Sequence, residues 1–237
     1  MPRDARRTTV RLTGISLRQQ GTHDSLCAYY AAAMLLCALR PELDEAFDAA
    51  HVGADPLIGN LPLRRGRSVE SAAAEWLTSG VDLRHLTRAL NRACAASDIR
   101  TRFRYRAMGR GQDTLDHIHA HIDRGLPCVL AWESREMGEH TALVIGYERF
   151  AQSRSRWLRL IDPIRLQDVL EWGQLARLAR PRLELISCTH HDGVRPDKLT
   201  VTRAAKTATQ IERWEPGGAG WRALVPLRSR GRWPRGG

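Results

Sequence analysis

Residues 28–39 form an unbroken apolar run of 12, Ala-Tyr-Tyr-Ala-Ala-Ala-Met-Leu-Leu-Cys-Ala-Leu, followed by Arg40 and Pro41. A helix made from such a run has no face to turn to water, so the rest of the fold must enclose it. A membrane span needs about 20 apolar residues, so this helix belongs inside a folded domain. Pro41 cannot extend it, and Asp24 and Ser25 stand ahead of it as candidate N-caps.

The other elements arrange themselves around this helix. A short strand fits within residues 8–17, and residues 18–23 are polar and loop-like. A second short helix fits 43–51, and the Gly/Pro-rich stretch 53–66 is a candidate rim or lid. Ser68 opens a helix that Gly80 ends, and Asp82 caps another running to Ser97. After that the period changes from helical to two. Residues 99–106 alternate apolar and Arg positions, the pattern of a half-buried strand. One more helix starts at Asp113 or Thr114 and ends at Gly125, and apolar strands follow over 127–132, 140–147, 157–161 and 182–187. Helices gathered in the first half and strands in the second predict an α+β fold with a mostly antiparallel sheet.

The chain has 237 residues, 43% hydrophobic and 27% charged, which suits one domain of roughly 170–200 residues with tails. Its net charge of +11 suggests a nucleic-acid binder until the charges are located. Residues 1–20 hold five Arg and one Asp, and residues 190–237 hold eight Arg and two Lys against two Asp and two Glu. The stretch between is almost neutral. A reader of double-stranded nucleic acid carries its charge on the docking face, so nucleic acid is disfavoured as the main partner. The division is a basic arm at 1–15, a domain at 16–189 and a basic Gly/Pro/Arg-rich tail at 190–237, part of which is expected to pack through its Trp residues. The five Cys have no paired spacing, and no secretory signal is seen behind Met1, which together predict free thiols in a reducing, cytoplasmic setting or an effector exported by a non-Sec route.

Cys37, Cys94, Cys128 and Cys188 lie in apolar or helical surroundings and fit as small core residues. Cys27 differs, because it falls two residues inside the start expected for the buried helix. Unpaired N–H groups at a helix N-terminus favour a thiolate, the nucleophilic form of cysteine. His140 opens a strongly apolar strand, and Asp162 ends the next one, held by Pro163. If the two strands pair antiparallel, the start of one meets the end of the other. Asp162 would then accept a ring N–H of His140 and set its tautomer. Cysteine early on a helix, histidine far downstream and a carboxylate soon after is the order that nucleophilic thiol chemistry needs.

The segments Gln19-Gln20 through Cys27-Ala-Tyr-Tyr, the helix running into Gly125-Leu-Pro127 and a strand, His140 with Gly146-Tyr147, and Asp162-Pro163 are together similar to the papain-like cysteine peptidases, most closely the C39-like branch, over about residues 16–165. The resemblance implies a papain-like fold, its N-terminal helical part packed on the sheet. It further implies Cys27 as nucleophile, His140 as general base and acid, Asp162 as its orienting partner and Gln20 as an oxyanion donor. Gln20 stands seven residues ahead of Cys27 where the family usually has six, and Gln19 is the alternative donor. The expected substrate is a peptide or protein, with no cofactor and no metal. Acyl or amide transfer, or a non-catalytic binding module on the same fold, are the alternatives.

Three further clusters receive structural readings. His117, His119 and His121 are expected on an exposed helix face. Cys188, His190 and His191 resemble half a zinc site without its other half. Arg100, Arg102, Arg104 and Arg106 fit a solvated strand face, and the terminal Gly236-Gly237 closes a flexible basic tail.

Overall fold

A computed structural model describes residues 7–12, 15–18, 26–48, 55–61, 66–109, 111–134, 138–150, 156–163, 168–172, 179–191 and 199–202. The apolar run becomes helix α1 (Cys27–Leu39), and all but its first residue and Tyr30 are buried. Arg40 leaves helical geometry (φ −146°, ψ 80°) ahead of Pro41, which ends the helix as its missing N–H requires. A single 3-10 turn at Pro41–Leu43 leads into short α2 (Asp44–Asp48).

Helices α3 (Val69–Ser79) and α4 (Leu83–Ala96) follow their caps closely. Ser68 Oγ accepts from Ser71 N–H at 3.2 Å, and Gly80 takes φ +75° to end α3. Asp82 accepts from Arg84 N–H and His85 N–H at 2.8 and 3.0 Å. Leu83, Leu86, Leu90 and Cys94 recur at helical spacing and turn one face of α4 into the core. The stretch expected as a rim or lid is tied down where it is described, at 55–61. Asp55 is buried, receives the Tyr29 hydroxyl from α1, and accepts the N–H groups of Leu57 and Ile58 at 2.8 Å each. Leu57 and Leu61 join the core beside it.

The second half forms β2 (Thr101–Met108), α5 (Gln112–Ile122), β3 (Cys128–Ser134), β4 (Gly138–Phe150), β5 (Arg156–Ile161), β6 (Asp168–Glu171) and β7 (Ala179–His191). With β1 (Arg7–Leu12) and β8 (Leu199–Thr202) they build an eight-stranded sheet of order β2-β7-β3-β4-β1-β8, with β5 on β4 and β6 on β5. Every described pairing is antiparallel. The α+β class expected from the segregation of helices and strands is the one observed. β1 and β8 lie within the two charged end segments and pair with each other at one side of the sheet.

The core lies where α1 packs on β4 and β3. One glycine makes the β1–β4 contact possible. A Cβ on Gly146 would fall far inside contact distance of the Val10 carbonyl oxygen and 3.0 Å from Arg11 Cα, both backbone atoms of β1. No described helix is long and apolar enough to cross a membrane.

The histidines of α5 correct an expectation. His119 and His121 are 2% and 4% exposed, because α5 packs against β4, β1 and β3 and leaves no open face at those positions. His121 sits between its own helix and β7, with Nδ1 2.9 Å from His117 O and Nε2 3.2 Å from Cys188 O. His119 stacks on Tyr147 with ring centroids 4.0 Å apart. Burial, the Arg149 charge and the Arg156 charge outweigh Asp116 and push its ring down to about 4. These are neutral core histidines.

Candidate active site

Helix α1 begins at Cys27 itself, with Leu26 at the N-cap and no side-chain cap. The start is thus two residues later than Asp24 and Ser25 suggested, and those two lie outside the described residues. The first bond of the helix runs from Tyr30 N–H to Leu26 O at 2.9 Å. The N–H groups of Cys27, Ala28 and Tyr29 therefore have no partner within the helix, as the geometry of any first turn dictates. Cys27 is half-buried at the head of an otherwise enclosed helix, where a reacting group can approach it.

The other four cysteines are buried, as their surroundings in the sequence suggest. Burial pushes the thiols of Cys37, Cys94 and Cys128 up to about 12 and that of Cys188 up to about 11. At neutral pH these four remain protonated and shielded.

His140 is the third residue of β4 rather than its first, opposite Trp132 of β3. In the β4–β5 pair Leu143 faces Ile161. One step further along that register brings Asp162 level with Ala142, two residues from His140 on the same face, close enough for the side chains to meet. His140 Nε2–H donates to Asp162 Oδ2 at 3.0 Å, and the two side chains are only 8% and 9% exposed. With Nε2 committed, Nδ1 is the nitrogen left for a second partner, and Cys27 is near enough to raise the proton affinity of the ring.

No family model matches the chain, and no curated protein matches it. Among solved structures it is similar to a double glycine motif protease from an AMS/PCAT transporter, seen in complex with the leader peptide, at 11% identity and a TM-score of 0.42. The match covers 77% of this chain and 99% of that one. That likeness is distant, so the chemistry of the site has to come from this chain's own side chains.

Those side chains set an unusual charge state. Burial by itself disfavours the imidazolium, but the hydrogen bonds to Asp162 and Cys27 and the charges on both outweigh it and raise His140 to about 9. The ring is therefore cationic at neutral pH, flanked by a carboxylate and a sulfur. Trp132 meets it edge-on, with centroids 5.0 Å apart and planes at 77°, and screens one side from water. Sequence reasoning missed Trp132. The signal was there in the hairpin register, because the residue opposite His140 in β3 shares its face.

Cys27, His140 and Asp162 thus stand together. Gln20 and Gln19 both lie outside the described residues. No group of three or more His, Cys, Asp or Glu among the described residues is arranged to hold a metal ion.

Proposed function

We propose that the chain is a papain-like thiol hydrolase that cleaves peptide or isopeptide bonds through Cys27, His140 and Asp162. The observation that carries this reading is the buried 3.0 Å bond between His140 and Asp162, with Cys27, at the head of a buried helix, near enough to the ring to raise its proton affinity. Cys27 attacks the carbonyl carbon as its thiolate, and the carbonyl π pair moves onto oxygen. The oxyanion is received by the Cys27 N–H, with the Gln20 amide as second donor and Gln19 in its place if the loop so requires. The His140 imidazolium passes its Nδ1 proton to the leaving amine as the C–N bond breaks, and Asp162 keeps hold of Nε2–H. Neutral His140 then takes a proton from water, whose oxygen attacks the thioester. The acid is released, and the thiolate and imidazolium are restored. No cofactor takes part in these steps.

The first experiment is iodoacetamide labelling of every cysteine against pH, read by mass spectrometry, in the parent and in His140→Ala. Cys27 should react well below pH 7 in the parent and slow markedly in His140→Ala, with the four buried thiols inert in both. A peptide-library digest follows, in which Cys27→Ala and His140→Ala abolish cleavage and Cys37→Ala retains it. Product that forms only when an amine is added would make the protein an acyl transferase. If Cys27 titrates as an ordinary thiol near 8.5, thiol catalysis is refuted and a binding module takes its place.

A further inference from the structure

Strand β2 is the terminal strand of the sheet, paired with β7 on one side and with no described strand on the other. Such an edge presents N–H and C=O groups that a second chain can complete. Its first half is already covered. The Asn91 side chain of α4 accepts from Phe103 N–H at 2.8 Å and donates to Phe103 C=O at 3.0 Å, the same two bonds a neighbouring strand would make. Both polar groups of Phe103 therefore point away from β7, and the period of two turns those of Tyr105 and Ala107 the same way. No described backbone group answers them. Helix α4 reaches this second half only near its start, where the Arg84 guanidinium lies 4.9 Å from the Tyr105 ring centroid, a contact to the side chain and not to the Tyr105 backbone.

The open half is also where the chain is concave and positive. A concavity of about 560 Å³ is lined by Arg104, Tyr105, Arg106, Met108, Gly111 and Asp113. Arg102 and Arg104 are exposed and Arg106 half-buried, and none of them is in an ion pair among the described residues. On the neighbouring strand Arg104 faces Ser187 and Arg106 faces Leu185. His117 of α5 reaches Ser187 Oγ at 3.4 Å, and burial together with His121, Arg106 and Arg124 pushes its ring down to about 4. Arg104 and Arg106 thus share one face with no ion-pair partner among the described residues; the carboxylates nearby are Asp113 on the rim and Glu184 of β7, which accepts the Tyr105 hydroxyl at 2.9 Å.

We propose that the open half of β2 receives an extended acidic peptide by strand addition, its backbone bonding Tyr105 and Ala107 and its alternate carboxylates lying over Arg104 and Arg106. Alternate residues of an extended chain repeat every ~6.6 Å, the same step that separates Arg104 from Arg106 along the strand. Opposite charges directly across a strand pair attract, and main-chain bonds supply affinity in this mode of recognition. An acidic strand satisfies both the unpaired edge and the unpaired charge.

The test uses the full chain and a fluorescein-labelled peptide of alternating Glu and Val, with a Lys–Val peptide and single-stranded oligothymidine as comparisons. Anisotropy should show binding of the Glu–Val peptide and none of the Lys–Val peptide, and the double variant R104E/R106E should weaken it by about tenfold or more. Ala107→Pro removes one outward N–H that the sheet does not use, so it should fold and lose binding to a similar degree. Amide exchange at Tyr105 and Ala107 should slow on binding, with Arg104 and Arg106, already turned toward β7, unchanged. Cys27→Ala should bind like the parent, which separates this surface from the thiol site. Equal binding of parent and Ala107→Pro, or oligothymidine binding as tightly as the Glu–Val peptide, would overturn strand addition and leave a general polyanion surface.

Discussion

Asp162→Asn removes one negative charge beside a buried ring and leaves an oxygen in the same place. In the parent, burial opposes the His140 proton, yet the bonds and charges of Asp162 and Cys27 win and hold the ring at about 9 against an ordinary 6.5. A histidine held above its unfolded value stabilises the fold in full below that unfolded value and loses the contribution as pH rises through the folded one. The stabilisation should therefore be complete below pH 6.5 and gone above about 9. Its upper bound is about 3 kcal/mol, from 1.36 kcal/mol per unit. In Asp162→Asn only the Cys27 partner remains, so most of that pH dependence should disappear, and the variant should be less stable below pH 6.5 by about 1.5–3 kcal/mol, the usual worth of a charged hydrogen bond. Urea unfolding of both proteins at a series of pH values measures this directly. In thermal melts at this chain length each kcal/mol moves the midpoint by roughly 2–4 °C. A parent whose stability is flat across that window, or a variant with the same slope, would refute the electrostatic account of the pair. In turnover, Asp162→Asn keeps an acceptor for Nε2–H and should retain more activity than Asp162→Ala.

Two further substitutions probe how the site is carried. Gly146→Ala forces β1 away from β4, and urea unfolding should show a loss of about 1–3 kcal/mol, as overpacking elsewhere does. Tyr29→Phe deletes the hydroxyl that reaches buried Asp55, two residues along α1 from Cys27. Leaving that carboxylate oxygen without its donor should cost about 1–3 kcal/mol in the same assay. Slower iodoacetamide labelling of Cys27 in Tyr29→Phe would show that the Asp55 segment also positions the head of the helix.

The elements most legible in the sequence are those whose causes are local. The apolar run 28–39 had to be an enclosed helix, Pro41 had to stop it, and Ser68, Gly80 and Asp82 mark helix ends by bonds within four residues. Alternation over 99–106 marks, for the same reason, the strand that forms two residues later at Thr101–Met108, with Arg104 and Arg106 on one face. The meeting of His140 with Asp162 was legible too, because antiparallel pairing of two apolar strands brings the start of one near the end of the other.

What the sequence left open depends on contacts between distant segments. Helical period places His119 and His121 on faces of α5, but only the packing of that helix against the sheet decides that both faces are buried and the rings neutral. The raised proton affinity of His140 needs Asp162 and Cys27 near the ring, since burial alone would have lowered it. Trp132 beside the ring, Asn91 on the β2 edge and Asp55 under α1 are likewise products of register and packing. Patterning along a chain records which residues turn inward together. Charge state and reach depend on what lies across the gap, and that is set by the tertiary fold.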